Sequence, residues 1–319
     1  MKRVILLLSL FIASQVFADS PKASWVPKAS SAAQETYADI QKTLGIVPQF
    51  LKSFPEEGIS GAWQEFKAVQ LSSTTAIPPK YKELIGLAVA AQIPCRYCSY
   101  AHTEFAKLNG ADDRELREAI AVSALVRHWS TYVNGIQEDE DTFRKEVDKI
   151  VSKAKEAKEE AESKSGTARP ELALNTSEDV YKDVEANFGV LPEFVKQFPE
   201  DGVNGAWRTM KEFHMNPNTA LSPKYKELTA LAVSAQIPCK YCIYFHTETA
   251  KLNGASEKEI REALAMSSLT RQWSTVLNGS LSNDAQFEKE IKQILAHAKK
   301  EMKGEKQTAR LRKKEASAG

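Results

Sequence analysis

Apolar positions along the chain fall at helical spacing, in segments punctuated by glycine and proline. An amphipathic segment runs from about Ala32 to Leu44. A short helix is expected after Pro48, and a longer one from about Ile59 to Val69. Pro78 and Pro79 open the segment Lys80 to Gln92, whose interior from Leu84 to Val89 is apolar enough to be buried. A further helix follows Pro94, runs to Asn109 and is closed by Gly110. Asp112 or Asp113 then caps a long helix through Ile120, Leu125 and Trp129. No strand-like alternation of polar and apolar residues recurs, so the pattern predicts an all-α protein.

The second half of the chain repeats the first at a fixed offset of 144 positions, Cys95 matching Cys239. Gly45 matches Gly189, Trp63 matches Trp207, Trp129 matches Trp273, and Asn134-Gly135 matches Asn278-Gly279. The register holds from about Tyr37 to Gly135, so no insertion separates the copies there. Two like domains, or one fused pseudo-dimer, follow from this.

At 319 residues the chain has room for one or two domains, and a formal net charge of +1 gives no reason to invoke nucleic acid. Residues 1–18 read as a secretory leader. Lys2 and Arg3 precede an apolar run from Val4 to Val16, and Val16-Phe17-Ala18 fits a cleavage site. That run is short for a membrane span. The expectation is a mature protein starting near Asp19 in the periplasm or outside the cell. The first repeat then occupies residues 19–151 and the second 171–298. Between them, 152–170 is a Lys-, Glu- and Ala-rich linker with no apolar stripe, read as a solvated helical extension that breaks at Ser165-Gly166. Residues 299–319 are net basic and read as a frayed solvated tail, with contact to an anionic surface as the sharper alternative.

All four cysteines belong to two copies of Cys-x-x-Cys-x-x-x-His: Cys95, Cys98 and His102, then Cys239, Cys242 and His246. That usage points to redox or metal chemistry rather than scattered structural bridges. Near a helix N-terminus, unsatisfied N–H groups and the dipole stabilise a thiolate. A histidine four residues after the second cysteine can take its proton. The dipole favours the first cysteine as the low-pKa thiol, whereas the histidine favours the second. Glu83 and Glu227 stand twelve residues before Cys95 and Cys239, on the apolar helix that leads into the motif. Each carboxylate orients the histidine or passes its proton on, or else is a surface charge paired with a lysine such as Lys80 or Lys82.

The pattern Glu-x11-Cys-x-x-Cys-x-x-x-His, followed in both copies by Thr-Glu-x-Ala-Lys-Leu-Asn-Gly-Ala, resembles the AhpD-like alkylhydroperoxidases of the carboxymuconolactone decarboxylase superfamily. The likeness covers roughly Pro78 to Asn134 and Ser222 to Asn278. It implies two tandem AhpD-like helical domains forming a pseudo-dimer, with thiol peroxidase activity. Carried over by motif, Cys98 and Cys242 are the attacking thiols and Cys95 and Cys239 resolve them as disulfides. His102 and His246 act as bases, and Glu83 and Glu227 complete a proton relay. These roles favour the second cysteine of each pair as the nucleophile. The chain departs from the archetype immediately before that cysteine, where Tyr97 and Tyr241 replace a histidine. A phenol is a poor base at neutral pH but can donate a hydrogen bond to a thiolate or peroxide oxygen.

The resemblance further implies hydroperoxide or disulfide substrates and association into a trimer of pseudo-dimers. No metal, flavin or nicotinamide signature stands in the sequence, so electrons are expected from a thiol-reductant protein or small thiol. Thiol–disulfide oxidase or isomerase work is the runner-up activity. A zinc site of two thiolates, imidazole and carboxylate is another alternative, as are purely structural disulfides, though so short a loop is a poor staple. Members with decarboxylase chemistry generally lack the cysteine pair. His128, His214 and His297 have no histidine partner at the repeat offset and are expected to serve packing, as are Trp63, Trp129 and their mates.

Overall fold

The computed structural model describes residues 29–163 and 173–318, and no strand occurs among them. The leader expected over residues 1–18 and the break at Ser165-Gly166 lie outside the described residues. Copy one comprises α1 (Ala29–Leu44), α2 (Gln49–Lys52), α3 (Glu56–Phe66), α4 (Pro79–Gln92), α5 (Arg96–Leu108), α6 (Asp113–Gly135) and α7 (Glu140–Ser163). Copy two comprises α8 (Ser177–Phe188), α9 (Glu193–Lys196), α10 (Glu200–Thr209), α11 (Pro223–Gln236), α12 (Lys240–Leu252), α13 (Glu257–Gly279) and α14 (Asp284–Ala318). The helix expected to reach Val69 ends earlier, because α3 passes into a π turn over Lys67–Leu71, as α10 does over Met210–His214.

Local chemistry sets the helix ends. Asp112 caps α6 and Ser256 caps α13, each in a reciprocal box with the glutamate three residues on, Glu115 or Glu259. Gly110 and Gly254 close α5 and α12 at φ of +87° and +80°, a left-handed conformation that a side chain would strain. The recurrent tryptophans also carry polar ties. The indole N–H of Trp63 donates to Asp39 at 2.6 Å, and that of Trp207 donates to Asp183 at 2.7 Å.

The two copies interlock. Helices α4 and α11 pack together at the centre, where Tyr81 and Tyr225, equivalent residues, stack with ring centroids 3.4 Å apart. A local two-fold axis therefore passes between them. On one side, Ile40, Leu51, Ile59 and Trp63 of copy one share a core with Leu269, Trp273, Phe287 and Ile291 of copy two. On the other, Val180, Val184, Val203 and Trp207 share a core with Trp129, Val133, Phe143 and Val147. The repeat boundary is thus not a packing boundary: each copy sends its last two helices to the other's site. Carboxylates reinforce the exchange. Glu290 accepts from the N–H of Gln49 at 3.0 Å, and Glu146 accepts from that of Glu193 at 3.1 Å.

The start of the linker is helical, as its sequence reading expects, whereas the tail differs from its reading. Helix α7 continues through the charged stretch, and Lys158 donates to the Leu252 carbonyl at 2.7 Å. The residues read as a frayed tail extend α14 as unbroken helix to Ala318. No helix among the described residues is long and apolar enough to cross a membrane.

Candidate active sites

Each motif occupies the start of a helix, one turn away from the preceding buried helix. Cys95 is the N-cap of α5 and its sulfur accepts the Cys98 N–H at 3.3 Å. Cys239 caps α12 in the same way, with Cys242 N–H at 3.2 Å. The cysteines are bridged within each motif, Cys95 to Cys98 and Cys239 to Cys242, with Cα atoms 5.3 Å apart. The capping sulfurs are fully buried, whereas Cys98 and Cys242 open onto cavities. The helix N-terminus therefore serves the first sulfur, and the second is the one with access to a cavity.

Glu83 and Glu227 are buried on α4 and α11 and bonded to the motif histidines, not to surface lysines. His102 Nδ1 lies 2.7 Å from Glu83 Oε2, and His246 Nδ1 lies 2.7 Å from Glu227 Oε2. A carboxylate on Nδ1 fixes the tautomer and leaves Nε2 as the nitrogen that exchanges a proton. Lys80 pairs with Glu115 instead. The fully buried Lys82 donates to the carbonyls of Val69 and Ser72, and its ammonium lies 3.0 Å from Glu262 of copy two. In copy two, burial alone would raise the Glu227 carboxyl. The two imidazoles around it outweigh that and hold it well below the usual carboxylate range. Burial depresses His246, with Glu227 opposing, so the neutral base form is favoured.

Sequence reasoning missed His214. The π turn delivers it to Glu227 Oε1 at 3.0 Å, with its ring 5.6 Å from that of His246. At the same repeat position Gln70 donates to Glu83 Oε1 at 3.2 Å. The signal was present in the chain: a polar residue thirteen positions before each glutamate, hidden by the search for a histidine in both copies. Donor atoms of His214, Glu227 and His246 lie within 4.8 Å of one another. Both imidazoles bond the carboxylate, so the three side chains form one buried hydrogen-bonded cluster. His128 and His297 do serve packing. His128 stacks on Trp129 at 5.1 Å, and His297 covers Gly45, where a Cβ would meet its ring at 2.7 Å.

The hydrogen bond offered by the tyrosines goes elsewhere. The Tyr97 hydroxyl donates to the Ser282 carbonyl at 2.5 Å, and the Tyr241 hydroxyl donates to the carbonyl of Glu138. Each phenol ties its motif helix to the equivalent turn of the opposite copy and is not free for a peroxide. The walls also come from the opposite copy. Site one, at Cys98, opens onto a cavity of about 380 Å³ walled by Trp273, Phe287, Ile291 and Ile294 of copy two. Site two, at Cys242, has about 50 Å³ behind Trp129, Val133 and Phe143 of copy one.

Together these features define a duplicated helical protein with a buried dithiol–imidazole–carboxylate unit in each copy, compatible with redox chemistry. Residues 59–138 and 203–280 each match the profile of the carboxymuconolactone decarboxylase family, and the chain belongs to that family as a tandem pair. A crystal structure described as a gamma-carboxymuconolactone decarboxylase subunit from Burkholderia xenovorans shares the fold. It is 21% identical at a TM-score of 0.51, covering 80% of this chain and 96% of that one. No curated protein matches the chain.

Proposed function

We propose that the protein is an exported, AhpD-like thiol peroxidase. The carrying observation is that Cys98 alone of its pair faces the cavity, beside a histidine whose other nitrogen is held by a buried glutamate. In the reduced state His102 takes the Cys98 proton, and the thiolate attacks the distal oxygen of a hydroperoxide. The O–O bond breaks, the alkoxide takes the proton from His102 and leaves as alcohol, and Cys98 becomes a sulfenic acid. The Cys95 thiol then attacks that sulfur. Water leaves with the hydroxyl and a proton, and the disulfide forms. Two thiols and one hydroperoxide thus give one disulfide, one alcohol and one water. A small dithiol, or a thiol-bearing arm of a reductant protein, returns the electrons by exchange. Residues 1–18 supply the export reading, and an oxidising compartment makes such a donor necessary.

Burial favours this over disulfide exchange with folded proteins, because Cys95 and Cys239 are inaccessible and their partners sit inside cavities. Stopped-flow oxidation of the reduced protein by an organic hydroperoxide tests the proposal. Fast formation of the Cys95–Cys98 disulfide is expected, and loss of that fast phase in Cys98→Ser. Oxidation no faster than that of free cysteine sinks it.

A further inference from the structure

The two sites are built alike around the sulfur and unlike everywhere a substrate would sit. At the repeat offset, Ala101 corresponds to Phe245 and Phe105 to Thr249. In site one the aromatic ring stands one turn further along the helix, and the space over Cys98 is left to the small Ala101. In site two the ring of Phe245 lies beside Cys242, edge-on to His246 at 5.2 Å. Thr249 instead donates to Glu227 Oε2 at 2.7 Å. The rims differ too. The exposed Met302 of α14 lines site one, whereas its counterpart Lys158 is bonded to the end of α12.

We propose that the two sites divide substrates by size, with site one taking elongated apolar hydroperoxides and Phe245 closing site two to anything much larger than hydrogen peroxide. This rests on the peroxidase reading for its chemistry but not for its binding claim. A cavity of about 380 Å³ falls in the range of ordinary ligand sites, ~300–1,000 Å³. Gln70, Glu83 and His102 form a hydrogen-bonded polar cluster at the end where Cys98 stands, and the walls beyond are chiefly aromatic and aliphatic. That suits a molecule with one polar end and an apolar body. The roughly 50 Å³ of site two has room for only a few small molecules, a water needing about 10–15 Å³ of such space.

The test begins with binding, measured on the oxidised full chain with the fluorescent fatty acid cis-parinaric acid. One equivalent per chain is expected to bind. Ala101→Phe should weaken it at least about tenfold, the scale on which a pocket rejects extra or missing volume. Phe245→Ala should create a second equivalent. Phenylalanine is already accommodated at this repeat position in copy two, so Ala101→Phe has a precedent in the same framework. Two equivalents or none in the unsubstituted chain, or unchanged stoichiometry in both variants, overturns the division. Kinetics follow in chains with one live site. With Cys242→Ser, site one should consume cumene hydroperoxide and hydrogen peroxide alike. With Cys98→Ser, site two should accept hydrogen peroxide and lose cumene hydroperoxide, regaining it when Phe245→Ala is added. Binding as expected with no peroxide reaction at either site would refute the peroxidase reading and leave the size division of the cavities standing. Equal use of cumene hydroperoxide by both sites would refute the division and leave the peroxidase reading standing.

Discussion

Gly86→Ala puts a single methyl between α4 and the candidate base of site one. In an exposed helix the change would stabilise the protein by about 1 kcal/mol, since alanine is the better helix former. Gly86 is buried, and an ideal Cβ there would lie 2.4 Å from Cε1 and 2.6 Å from both nitrogens of His102. Ordinary contact is about 3.5–4.0 Å, so the ring must retreat by roughly 1 Å. Its 2.7 Å bond to Glu83 would then exceed hydrogen-bonding distance. Losing a buried bond to a charged group costs about 1.5–3 kcal/mol, which outweighs the helix gain. The expected net effect is a destabilisation of roughly 0.5–2 kcal/mol, read as a fall of up to a few degrees in Tm. A misplacement of about 1 Å is also enough to lose on the order of a hundredfold in rate. The assay is hydrogen peroxide oxidation of the Cys242→Ser chain with and without Gly86→Ala, alongside thermal unfolding. Copy two supplies the control, because Ala230 already stands at this position and His246 keeps its 2.7 Å bond to Glu227 there. Ala230→Gly should lower stability by about 1 kcal/mol through helix propensity and spare the rate at site two. An unchanged site-one rate with a raised Tm in Gly86→Ala would refute the placement of His102 against α4.

Three further outcomes are expected. Glu83→Gln with Glu227→Gln, made together so that neither site masks the other, should slow thiol oxidation by about a hundredfold; wild-type kinetics would remove the carboxylates from the relay. After a sub-stoichiometric dose of peroxide, dimedone should label Cys98 in Cys95→Ser and Cys242 in Cys239→Ser but find no sulfenic acid in Cys98→Ser with Cys242→Ser; the reverse pattern would make the capping cysteine the nucleophile. Acid should destabilise the protein through site two. Glu227 is held below its ordinary value of 4.5, so its contribution is full above that value and lost as pH falls. His246 is held below 6.5, so the unfolded chain takes up its proton first and the loss begins on descending through that pH. The Tm of Glu227→Gln with His246→Gln should accordingly fall less between pH 7 and 4 than that of the unsubstituted chain, and parallel curves would contradict the assignment.

The motif residues were legible because their chemistry is encoded in spacing on one helix and in its preceding neighbour. Cys95, Cys98, His102 and Glu83 are linked by one interhelical hydrogen bond and one capping turn, and the duplicate confirmed each position. The helical class, the glycine stops and the capping aspartate followed from local preferences that do not depend on partners. His214 and Gln70 were not legible, because a π turn shifts a side chain off the helical face that periodicity predicts. Tyr97 and Tyr241 were misjudged because their hydroxyls bond backbone carbonyls of the other copy, 185 and 103 positions away along the chain.

The sequence by itself determined that this protein is a helical tandem repeat with two cysteine-pair–histidine motifs. Those features are short-range, set by side-chain chemistry and helical period. Only the tertiary structure decided that each unit is walled by the opposite copy, that Cys98 has a cavity of about 380 Å³ and Cys242 one of about 50 Å³, and that Lys82 and Lys226 are buried with their amino groups bonded to carbonyls. The volume beside a sulfur depends on how α13 and α14, or α6 and α7, cross over it. That crossing is fixed by apolar burial between residues far apart in the chain, which no local pattern records.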